Sequence, residues 1–414
     1  MKIYRVGGAV RDRLLGLPLQ DIDWVVTGAT PQQMLALGYK SIGKDFPVFL
    51  HPQSKQEYAL ARSERKTGPG YRGFEIDADP ETTIEQDLLR RDLTINAIAE
   101  DEDGNLVDPC GGQRDIAERR LRHVSEAFTE DPVRVLRTAR FAARYHHLGF
   151  TLAPETRELI ESMGGSGELE ALVAERVWSE LSRALDEPSP QQFFLTLRDC
   201  HVLVHLFPEI DALFGVPQTA KYHPEIDTGV HLMLALQKSA ELGQDNETRF
   251  AVLMHDLGKA TTSPDILPGH YGHEQRGVKL VKAFCERWRV PKSHTKLALI
   301  TTEFHTLVHR AFDLKPSTLL DLLTRADSLR KPRRFQRMLD ACLADLRGRT
   351  HFENAPYPQA DFVARLAESL RAMDTGDIRR QGLSGAALGD AIRNARLELI
   401  KREKQRARTL DEHP

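Results

Sequence analysis

The stretch Gly7-Gly8-Ala9-Val10-Arg11-Asp12, followed nine residues later by Asp21-Ile22-Asp23, decides the fold of the N-terminal part of this chain. Two carboxylates at positions i and i+2 of a strand point to the same face, where they repel each other unless a cation neutralises them. Magnesium fits this role, because it prefers carboxylate oxygens together with substrate phosphates. The apolar run Trp24-Val25-Val26 indicates that a rigid strand carries the pair. The sequence therefore predicts a magnesium site at Asp21 and Asp23.

The two glycines upstream make this pattern more specific. Gly7-Gly8 lies between a predicted strand and a predicted helix start, where backbone N–H groups can approach a triphosphate closely. Arg11 lies one turn into that helix and adds a fixed positive charge. An isolated Asp-x-Asp is common on exposed strand edges, but its combination with a glycine turn and an arginine favours a nucleotide-binding site.

The chain changes character near residue 131. Before it, strand-like and helical patterns are mixed, and a polar, glycine-rich interval at 63–73 predicts a mobile loop. After it, Leu, Ala, Glu and Arg recur at helical spacing to the end of the chain. The sequence thus predicts an α+β protein, with a small mixed-sheet head followed by a long all-helical body. Strands are predicted at 2–6, 22–27, 47–51 and 57–62, and short helices at 11–15 and 31–37.

Composition limits the class of protein. The 414 residues carry a net charge of −3, so a polyanionic partner must be held by local basic faces such as 330–334 and 401–408. The apolar stretches are too short to span a membrane, and the N-terminal residues resemble a strand and not a signal peptide. The four cysteines lie far apart, which favours free thiols. We therefore expect a cytoplasmic protein with no membrane association.

A second chemical pattern begins at Asp131. Asp131, Arg134, Arg137 and Arg140 recur every three residues, so on a helix they form a slowly winding row. A carboxylate accepts from an exocyclic amine and a guanidinium donates to ring acceptors, so such a pair can read cytosine or adenine and reject guanine and uracil. We assign Asp131 and Arg134 to base reading, and Arg137 and Arg140 to phosphate or base support. The alternative is an amphipathic helix with internal Asp–Arg pairs.

Histidines dominate a third pattern, since ten of the sixteen lie between His201 and His309. Imidazole nitrogens and carboxylate oxygens suit a divalent transition metal, and adjacent His255 and Asp256 supply two ligands from one turn. The alternative is that they are polar groups at a helix end. The candidate metal ligands are His231, His255 and Asp256, and the candidate phosphate-facing or supporting groups are Lys259, His273 and His305.

These motifs resemble two known families. Residues 7–12 with 21–23 resemble the signature of class II tRNA nucleotidyltransferases and bacterial poly(A) polymerases, within the polymerase-β-like superfamily. Residues 90–97 are similar to their second motif, in which an arginine, here Arg91, grips the incoming nucleotide, and residues 130–140 are similar to their amino-acid template motif. His-Asp-x-Gly-Lys at 255–259 resembles the HD phosphohydrolase superfamily, whose spacing selects Asp327 over Asp313 and Asp321 as a further ligand.

The resemblance, which runs essentially from end to end, implies an enzyme with four parts. They are a nucleotidyltransferase head (1–130), a helical neck and body with nucleotide-selecting and tRNA-binding helices (131–222), an HD phosphohydrolase domain (223–330) and a helical tail contacting tRNA (331–414). The implied activity is template-independent addition and repair of the 3′-terminal CCA of tRNA from CTP and ATP, with release of pyrophosphate. The implied partner is tRNA lacking all or part of CCA.

The resemblance also implies a mechanism. Asp21 and Asp23 would hold two Mg²⁺ ions that activate the 3′-hydroxyl and clamp the triphosphate, while Gly8, Arg11 and Arg91 neutralise its charge. Asp92 is either structural or a ribose contact. The HD domain would use Ni²⁺ or another divalent transition metal for 2′,3′-cyclic phosphodiesterase, 2′-nucleotidase and phosphatase activity.

Three alternatives stay open at this stage. One is a poly(A) polymerase-like enzyme, the second is a CCA-adding enzyme with an inactive HD domain, and the third is an RNA- or nucleotide-binding protein with an inactive head. The sequence leaves open whether the chain is a monomer or a homodimer, which helices bind the tRNA elbow, and how the enzyme switches from C to A addition.

Overall fold

The computed structural model of the chain describes residues 1–19, 22–42, 48–66, 74–77, 79–170, 172–380 and 382–411. The chain divides into two compact units, Met1–Leu206 (unit 1) and Phe207–Pro414 (unit 2). Unit 1 combines a mixed sheet with helices, whereas the described residues of unit 2 form helices and no strand. The predicted α+β class, a mixed-sheet head followed in the chain by a helical body, is therefore confirmed.

Unit 1 contains all the strands of the described chain. A seven-stranded sheet has the order β3-β4-β5-β2-β1-β8-β9, and β6–β7 and β10–β11 form separate pairs. The strands are β1 (Lys2–Val6), β2 (Asp23–Thr27), β3 (Lys40–Ser41), β4 (Val48–Leu50), β5 (Glu57–Leu60), β6 (Ser63–Lys66), β7 (Phe74–Asp77), β8 (Ala99–Glu100), β9 (Leu106–Val107), β10 (Arg120–Leu121) and β11 (Thr151–Leu152).

The pairing of β1 with β2 positions the first motif. The two strands are antiparallel, and Val6 at the end of β1 lies opposite Asp23 at the start of β2. The Val25 and Val26 side chains are buried on the two faces of the sheet, which fixes the register because a slip by one residue would exchange those faces. β2 also pairs with β5 in parallel, so the sheet is mixed.

Helices cover the rest of unit 1. α2 and α3 each begin with a capping box, Thr30 with Gln33 and Thr83 with Gln86, which satisfies backbone donors of the first turn. α5 packs against α7 and α8. The helices are α1 (Gly8–Leu14), α2 (Pro31–Ala36), α3 (Ile84–Leu89), α4 (Gly112–Ala117), α5 (Val133–Tyr145), α6 (Pro154–Gly164), α7 (Ala174–Asp186), α8 (Gln191–Asp199) and α9 (Leu203–Leu206).

Unit 2 is built around three helices, α12, α14 and α16, each of which packs against the other two. Residues of α14, α15, α16 and α17 dominate its hydrophobic core. The helices are α10 (Pro208–Asp211), α11 (Thr228–Glu241), α12 (Asn246–Met254), α13 (His273–Arg287), α14 (Lys292–His309), α15 (Pro316–Arg325), α16 (Pro332–Arg347), α17 (Pro358–Ala372), α18 (Gly376–Arg380) and α19 (Gly385–Asp411).

Most local predictions agree with these elements to within a few residues at each end. The exception is the interval at 63–73. Ser63–Lys66 forms β6 and pairs with β7, so the loop prediction is wrong there, because backbone pairing with a later strand overrides the local glycine and polar signal. Residues 67–73 lie outside the described residues. No helix in the described part of the chain is long and apolar enough to cross a bilayer.

Burial of α5 predicts a large difference between two leucine truncations in unit 1. Leu136 in α5 is fully buried, whereas Leu89 in α3 is 47% exposed. We expect Leu136→Ala to lower the free energy of unfolding by about 2–5 kcal/mol, because it leaves a cavity. Leu89→Ala should change it by about 0.5 kcal/mol or less. Hydrogen exchange of the α5 amides measures the effect in unit 1 directly, and equal losses in both variants would contradict this packing.

Candidate active sites

The candidate nucleotide site of unit 1 forms where β1 ends. Asp23 is exposed and lies beside the turn that Gly7 begins, while Asp21 lies outside the described residues. Gly7 has φ +65°, a conformation that favours glycine, and a Cβ atom on it would lie 2.8 Å from Nη1 of Arg91. The Arg91 guanidinium therefore lies directly against the glycine turn, next to the N-terminus of α1.

A chain of hydrogen bonds connects the predicted arginines. Asn96 accepts from Nη1 of Arg11 through its side-chain oxygen and donates to Asp92 at 3.0 Å. Asp92 accepts from Nε of Arg137 at 2.7 Å. Burial alone would raise the pKa of Asp92, but Arg137 and the bonds from Asn96 and the Leu93 amide hold it well below its usual range. Asp92 thus has protein partners on both oxygens, which favours the structural alternative over a ribose contact.

Three of the predicted arginines gather around one ring. The guanidinium carbons of Arg11, Arg137 and Arg140 lie 5.2, 5.9 and 4.6 Å from the centroid of Phe141. The ring is almost fully buried, and its faces attract cations. Arg11 comes from α1 and the other two from α5, so the fold brings two distant motifs together. Each of the three guanidiniums is also paired with a carboxylate, so the contacts hold the arginines in fixed positions.

Asp12 fixes α1 to α5. Its carboxylate accepts from Nε of Arg11 at 2.8 Å, from the Tyr145 hydroxyl at 3.0 Å and from Nη2 of Arg144 at 3.2 Å. The group is buried, so these three donors replace the water that it has lost. The position of Arg11 is therefore set by a neighbour within its own motif.

The predicted base-reading pair has other partners in this structure. Asp131 precedes α5 in an extended conformation instead of lying on the helix, and it receives two hydrogen bonds from Arg176 of α7, at 3.0 and 2.8 Å. Arg134 donates to the carbonyl oxygens of Ala127 and Arg90 at 2.8 and 2.6 Å. The helical row predicted from spacing therefore begins at Arg134, because Pro132 stands at the helix N-cap. Arg140 is bound to Glu180 at 2.7 Å.

The histidine pattern forms one buried cluster in unit 2. Asp256 lies 3.2 Å from Nε2 of His255, and its other oxygen lies 3.3 and 3.4 Å from Nε2 of His273 and His305. Lys259 lies 2.7 Å from Asp256 and donates to Gln218 at 2.9 Å. The structure thus brings His255, Asp256, Lys259, His273 and His305 together.

The orientation of the imidazoles fits a cation. His255, His273 and His305 each place Nδ1 against a backbone carbonyl, which can only accept, so Nδ1 carries a proton and Nε2 is directed toward Asp256. Although burial opposes protonation, the Asp256 carboxylate raises the pKa of His255. Burial lowers the pKa of His305 to about 4, which keeps it neutral. Nε2 of His255 and Oδ1 of Asp256 are buried and form no hydrogen bond with the described residues. Imidazole lone pairs and the carboxylate of Asp256 repel each other when they face each other. A divalent metal bound between them removes this repulsion, so this donor set is suited to such a metal.

A second carboxylate completes the cluster. Asp345 of α16 lies 3.1 Å from Nε2 of His231, 2.6 Å from Nε2 of His309 and 3.9 Å from Nε2 of His255. Although burial opposes ionisation, Arg349 and His309 hold the pKa of Asp345 well below its usual range. His231 also contacts Glu225 through Nδ1 at 2.9 Å. His231 thus joins the cluster through Asp345 and, with His255 and Asp256, forms one of the possible metal-binding groups.

Asp327, in contrast, is absent from this network in the described structure. Its carboxylate is bound by Arg330 at 2.6 Å and by Arg334 at 3.0 Å. Two guanidiniums contact its two oxygens. The structure thus places Asp345, and not Asp327, beside His231 and His255, and the assignment of Asp327 as a metal ligand stays a prediction.

A close backbone contact explains why position 258 of the His-Asp-x-Gly-Lys motif is a glycine. A Cβ atom on Gly258 would lie 1.9 Å from the carbonyl oxygen of His273 and 2.5 Å from the amide nitrogen of Gly277. Only a glycine permits this approach between the 257–261 turn and α13. That contact positions His273 opposite Asp256.

Sequence reasoning missed four contributors to these sites. Asn96 lies within the motif at 90–97, and its polar side chain could have indicated a contact with the arginines. Phe141 directly follows the motif at 130–140, and its aromatic ring could have indicated a contact with cations. Asp345 and His309 carry no local signal, because their partners are remote in sequence.

Comparisons with known proteins show which families and folds this chain is similar to. The family model for the Poly A polymerase head domain matches residues 3–122, the model described as the probable RNA and SrmB-binding site of polymerase A matches 149–214, and the HD domain model matches 228–331. Among solved structures, CCA-adding enzyme apo form II has a TM-score of 0.66 at 20% identity and covers 99% of this chain and 92% of its own. The Bacillus stearothermophilus CCA-adding enzyme in complex with CTP has a TM-score of 0.61 at 23% identity, covering 100% and 95%. At these identities the structures show a shared fold.

Curated relatives are much closer in sequence. The Multifunctional CCA protein of Thioalkalivibrio sulfidiphilus is 57% identical over 404 residues, which is 98% of this chain and 99% of the relative. The protein of the same name from Teredinibacter turnerae is 57% identical over 401 residues, which is 97% and 98%. Since the similarity covers nearly the whole length of each protein, the chain belongs to the multifunctional CCA protein family.

Proposed function

We propose that the chain adds and repairs the 3′-terminal CCA of tRNA, using CTP and ATP and releasing pyrophosphate. The observation that carries this proposal is the convergence of Arg11, Arg137 and Arg140 around Phe141. Asp23 and Arg91 flank the glycine turn of the same unit. Near-complete similarity to multifunctional CCA proteins supports the same activity.

The residues of unit 1 then have separate tasks. Asp21 and Asp23 would hold Mg²⁺, which supplies charge neutralisation and activation of the 3′-hydroxyl. Gly8 offers its backbone N–H, and Arg11 and Arg91 neutralise the triphosphate. Because Asn96 and Asp92 fix Arg11 and Arg137 before a ligand arrives, little reorganisation is needed when charge builds up on the phosphates.

Base selection remains assigned to Asp131 and Arg134, with support from Arg137 and Arg140. For this role Asp131 must exchange its bond to Arg176 for the amine of cytosine or adenine. This exchange is inexpensive, because the Asp131–Arg176 pair is partly exposed to solvent and such pairs contribute little stability. Arg134 would turn from the two carbonyl oxygens toward the base.

For unit 2 we propose a metal-dependent phosphohydrolase. His231, His255, Asp256 and Asp345 would hold a divalent transition metal such as Ni²⁺, which supplies an activated water. Lys259, His273 and His305 would face the substrate phosphate. The 2′,3′-cyclic phosphodiesterase, 2′-nucleotidase and phosphatase activities belong to this proposal, and they would allow the protein to clean a damaged tRNA end before rebuilding it. A cytoplasmic location follows from the tRNA substrate.

The proposed domain division has four parts, 1–130, 131–222, 223–330 and 331–414. The matches to the head and HD family models support its first and third parts. Asp345, which contacts His231, would extend the proposed metal site into the fourth part.

A poly(A) polymerase is the second candidate function, because two of the matching family models are named after that enzyme. An assay of nucleotide addition separates the two. Supplied with tRNA lacking CCA and with CTP and ATP together, the protein should add three nucleotides in order and then stop. An unlimited adenosine tail would favour the polymerase instead.

Asp23→Asn should lower CMP incorporation at least about 100-fold, since it removes one charged metal ligand. Undiminished incorporation would disprove the proposed metal site.

Hydrolysis of 2′,3′-cyclic AMP tests the activity of unit 2. We expect metal-dependent hydrolysis in the wild type and its loss in Asp256→Ala, because Asp256 lies at the centre of the imidazole cluster. CMP incorporation by the same variant serves as the control and should be retained. Persistence of hydrolysis in Asp256→Ala would show that the site lies elsewhere.

Paired asparagine variants distinguish the two candidate carboxylate ligands. Asp345→Asn should lower the affinity for Ni²⁺ by a factor of about 10–100 or more, because it removes a charged oxygen beside His231 and His255. Asp327→Asn should leave the affinity unchanged, because Asp327 contacts Arg330 and Arg334 instead. Isothermal titration with Ni²⁺ measures both. The opposite ranking would restore Asp327 as the ligand.

A further inference from the structure

An open, strongly basic cavity of about 570 Å³ lies in unit 2. We call it the basic groove, and define it by Lys292, Lys296, Arg330, Lys331, Arg333 and Arg334. Arg337 and Glu247 also line it, and they pair with each other at 2.5 Å. The groove therefore contains many more cations than anions, although the whole chain is slightly acidic.

The positive charge of the groove is only partly compensated. Arg330 and Arg334 share the single carboxylate of Asp327. Lys292, Lys296, Lys331 and Arg333 form no ion pair with any described residue. Four cations held together without anions repel one another, and a polyanion removes that repulsion.

The groove is connected to the histidine cluster by two helices. α14 begins at Lys292 in the groove and carries His305, and α16 begins at Pro332 in the groove and carries Asp345. His305 and Asp345 each lie 13 positions after the first residue of their helix (305 − 292 and 345 − 332). At about 1.5 Å per residue the groove is roughly 20 Å from the cluster along both helices.

This separation matches a short length of nucleic acid. A strand of B-form DNA rises about 3.4 Å per nucleotide and a strand of A-form RNA rises less, so roughly 20 Å corresponds to at least about six nucleotides of an RNA stem. An RNA whose 3′ end occupies the cluster would bring backbone phosphates of its terminal stem to the groove. A free cyclic nucleotide in the cluster is far too small to reach it.

We infer that the basic groove binds backbone phosphates of an RNA whose 3′ end lies in the histidine cluster, so that an RNA substrate contacts unit 2 at a second place that a free nucleotide does not reach. This inference rests on the phosphohydrolase function proposed for the cluster. It assigns a task to Asp327, which holds Arg330 and Arg334 at the groove. Positioning of this kind contributes affinity without sequence preference.

A charge-reversal variant tests the groove in the full chain loaded with Ni²⁺. The variant Lys292→Glu/Lys296→Glu/Lys331→Glu/Arg333→Glu changes four exposed side chains, and Lys331→Gln/Arg333→Gln is a milder version should the first fail to fold. For tRNA ending in a 2′,3′-cyclic phosphate we expect kcat/KM to fall at least about tenfold, with a salt dependence shallower by about 0.7 per lost phosphate contact. For 2′,3′-cyclic AMP kcat/KM should stay within about twofold, because that substrate cannot reach the groove.

Lys279→Glu/Lys282→Glu provides the matched control, since both lysines are exposed on α13, outside the groove. It should leave hydrolysis of the tRNA end unchanged. An unchanged rate in the groove variants, an equal loss in the control, or an equal loss of CMP incorporation would each overturn the inference. A wild type that hydrolyses the cyclic nucleotide but not the tRNA end would overturn this inference and leave the proposed phosphohydrolase activity standing. A wild type that hydrolyses neither would remove the proposed phosphohydrolase and this inference together.

Discussion

Ionised groups that are removed from water must find partners, and this constraint organises both candidate sites. In unit 1, Asp12 and Asp92 are surrounded by donors, so that α1 and α5 are fixed to each other and the arginines are already in place. In unit 2 the pairing is incomplete, because imidazole lone pairs face the Asp256 carboxylate. The first arrangement is consistent with the triphosphate proposed for unit 1, and the second with the metal ion proposed for unit 2. Both arrangements follow from the same electrostatic rule. In unit 1 hydrogen-bond donors surround the buried carboxylates, whereas in unit 2 electron-pair donors face each other.

The sequence predicted what depends on neighbouring residues. Apolar alternation located β1 and β2, and the glycine pair with its arginine identified the turn beside Asp23. Adjacent His255 and Asp256 indicated the cluster in the same way. These signals are local, because strand alternation and the first helical turn are set within a few residues.

Other features depend on contacts between distant segments, which spacing does not encode. Asp345 is 90 residues from His255 and has no local motif, whereas Asp327 had suitable spacing but is bound by Arg330 and Arg334 nearby. The three-residue recurrence from Asp131 predicted one helical row, yet Asp131 precedes the helix and pairs with Arg176, 45 residues further on. Charged side chains choose among all partners that the fold brings within reach, and a periodic pattern records only those on the same element.

The antiparallel register of β1 and β2 has a consequence for how the head tolerates changes in length. Because Val6 faces Asp23, hydrogen bonding between the strands, and not the connecting segment, determines where the carboxylate stands relative to Gly7. Insertions or deletions in the short segment 15–19, after α1, can be absorbed as long as this ladder and the contacts of α1 are preserved. A single residue inserted within β2 would turn every later side chain to the opposite side of the sheet, exchanging the buried surroundings of Val25 and Val26. Evolutionary drift is thus expected to change the length of the segment 15–19 while leaving α1 and β2 unchanged in length.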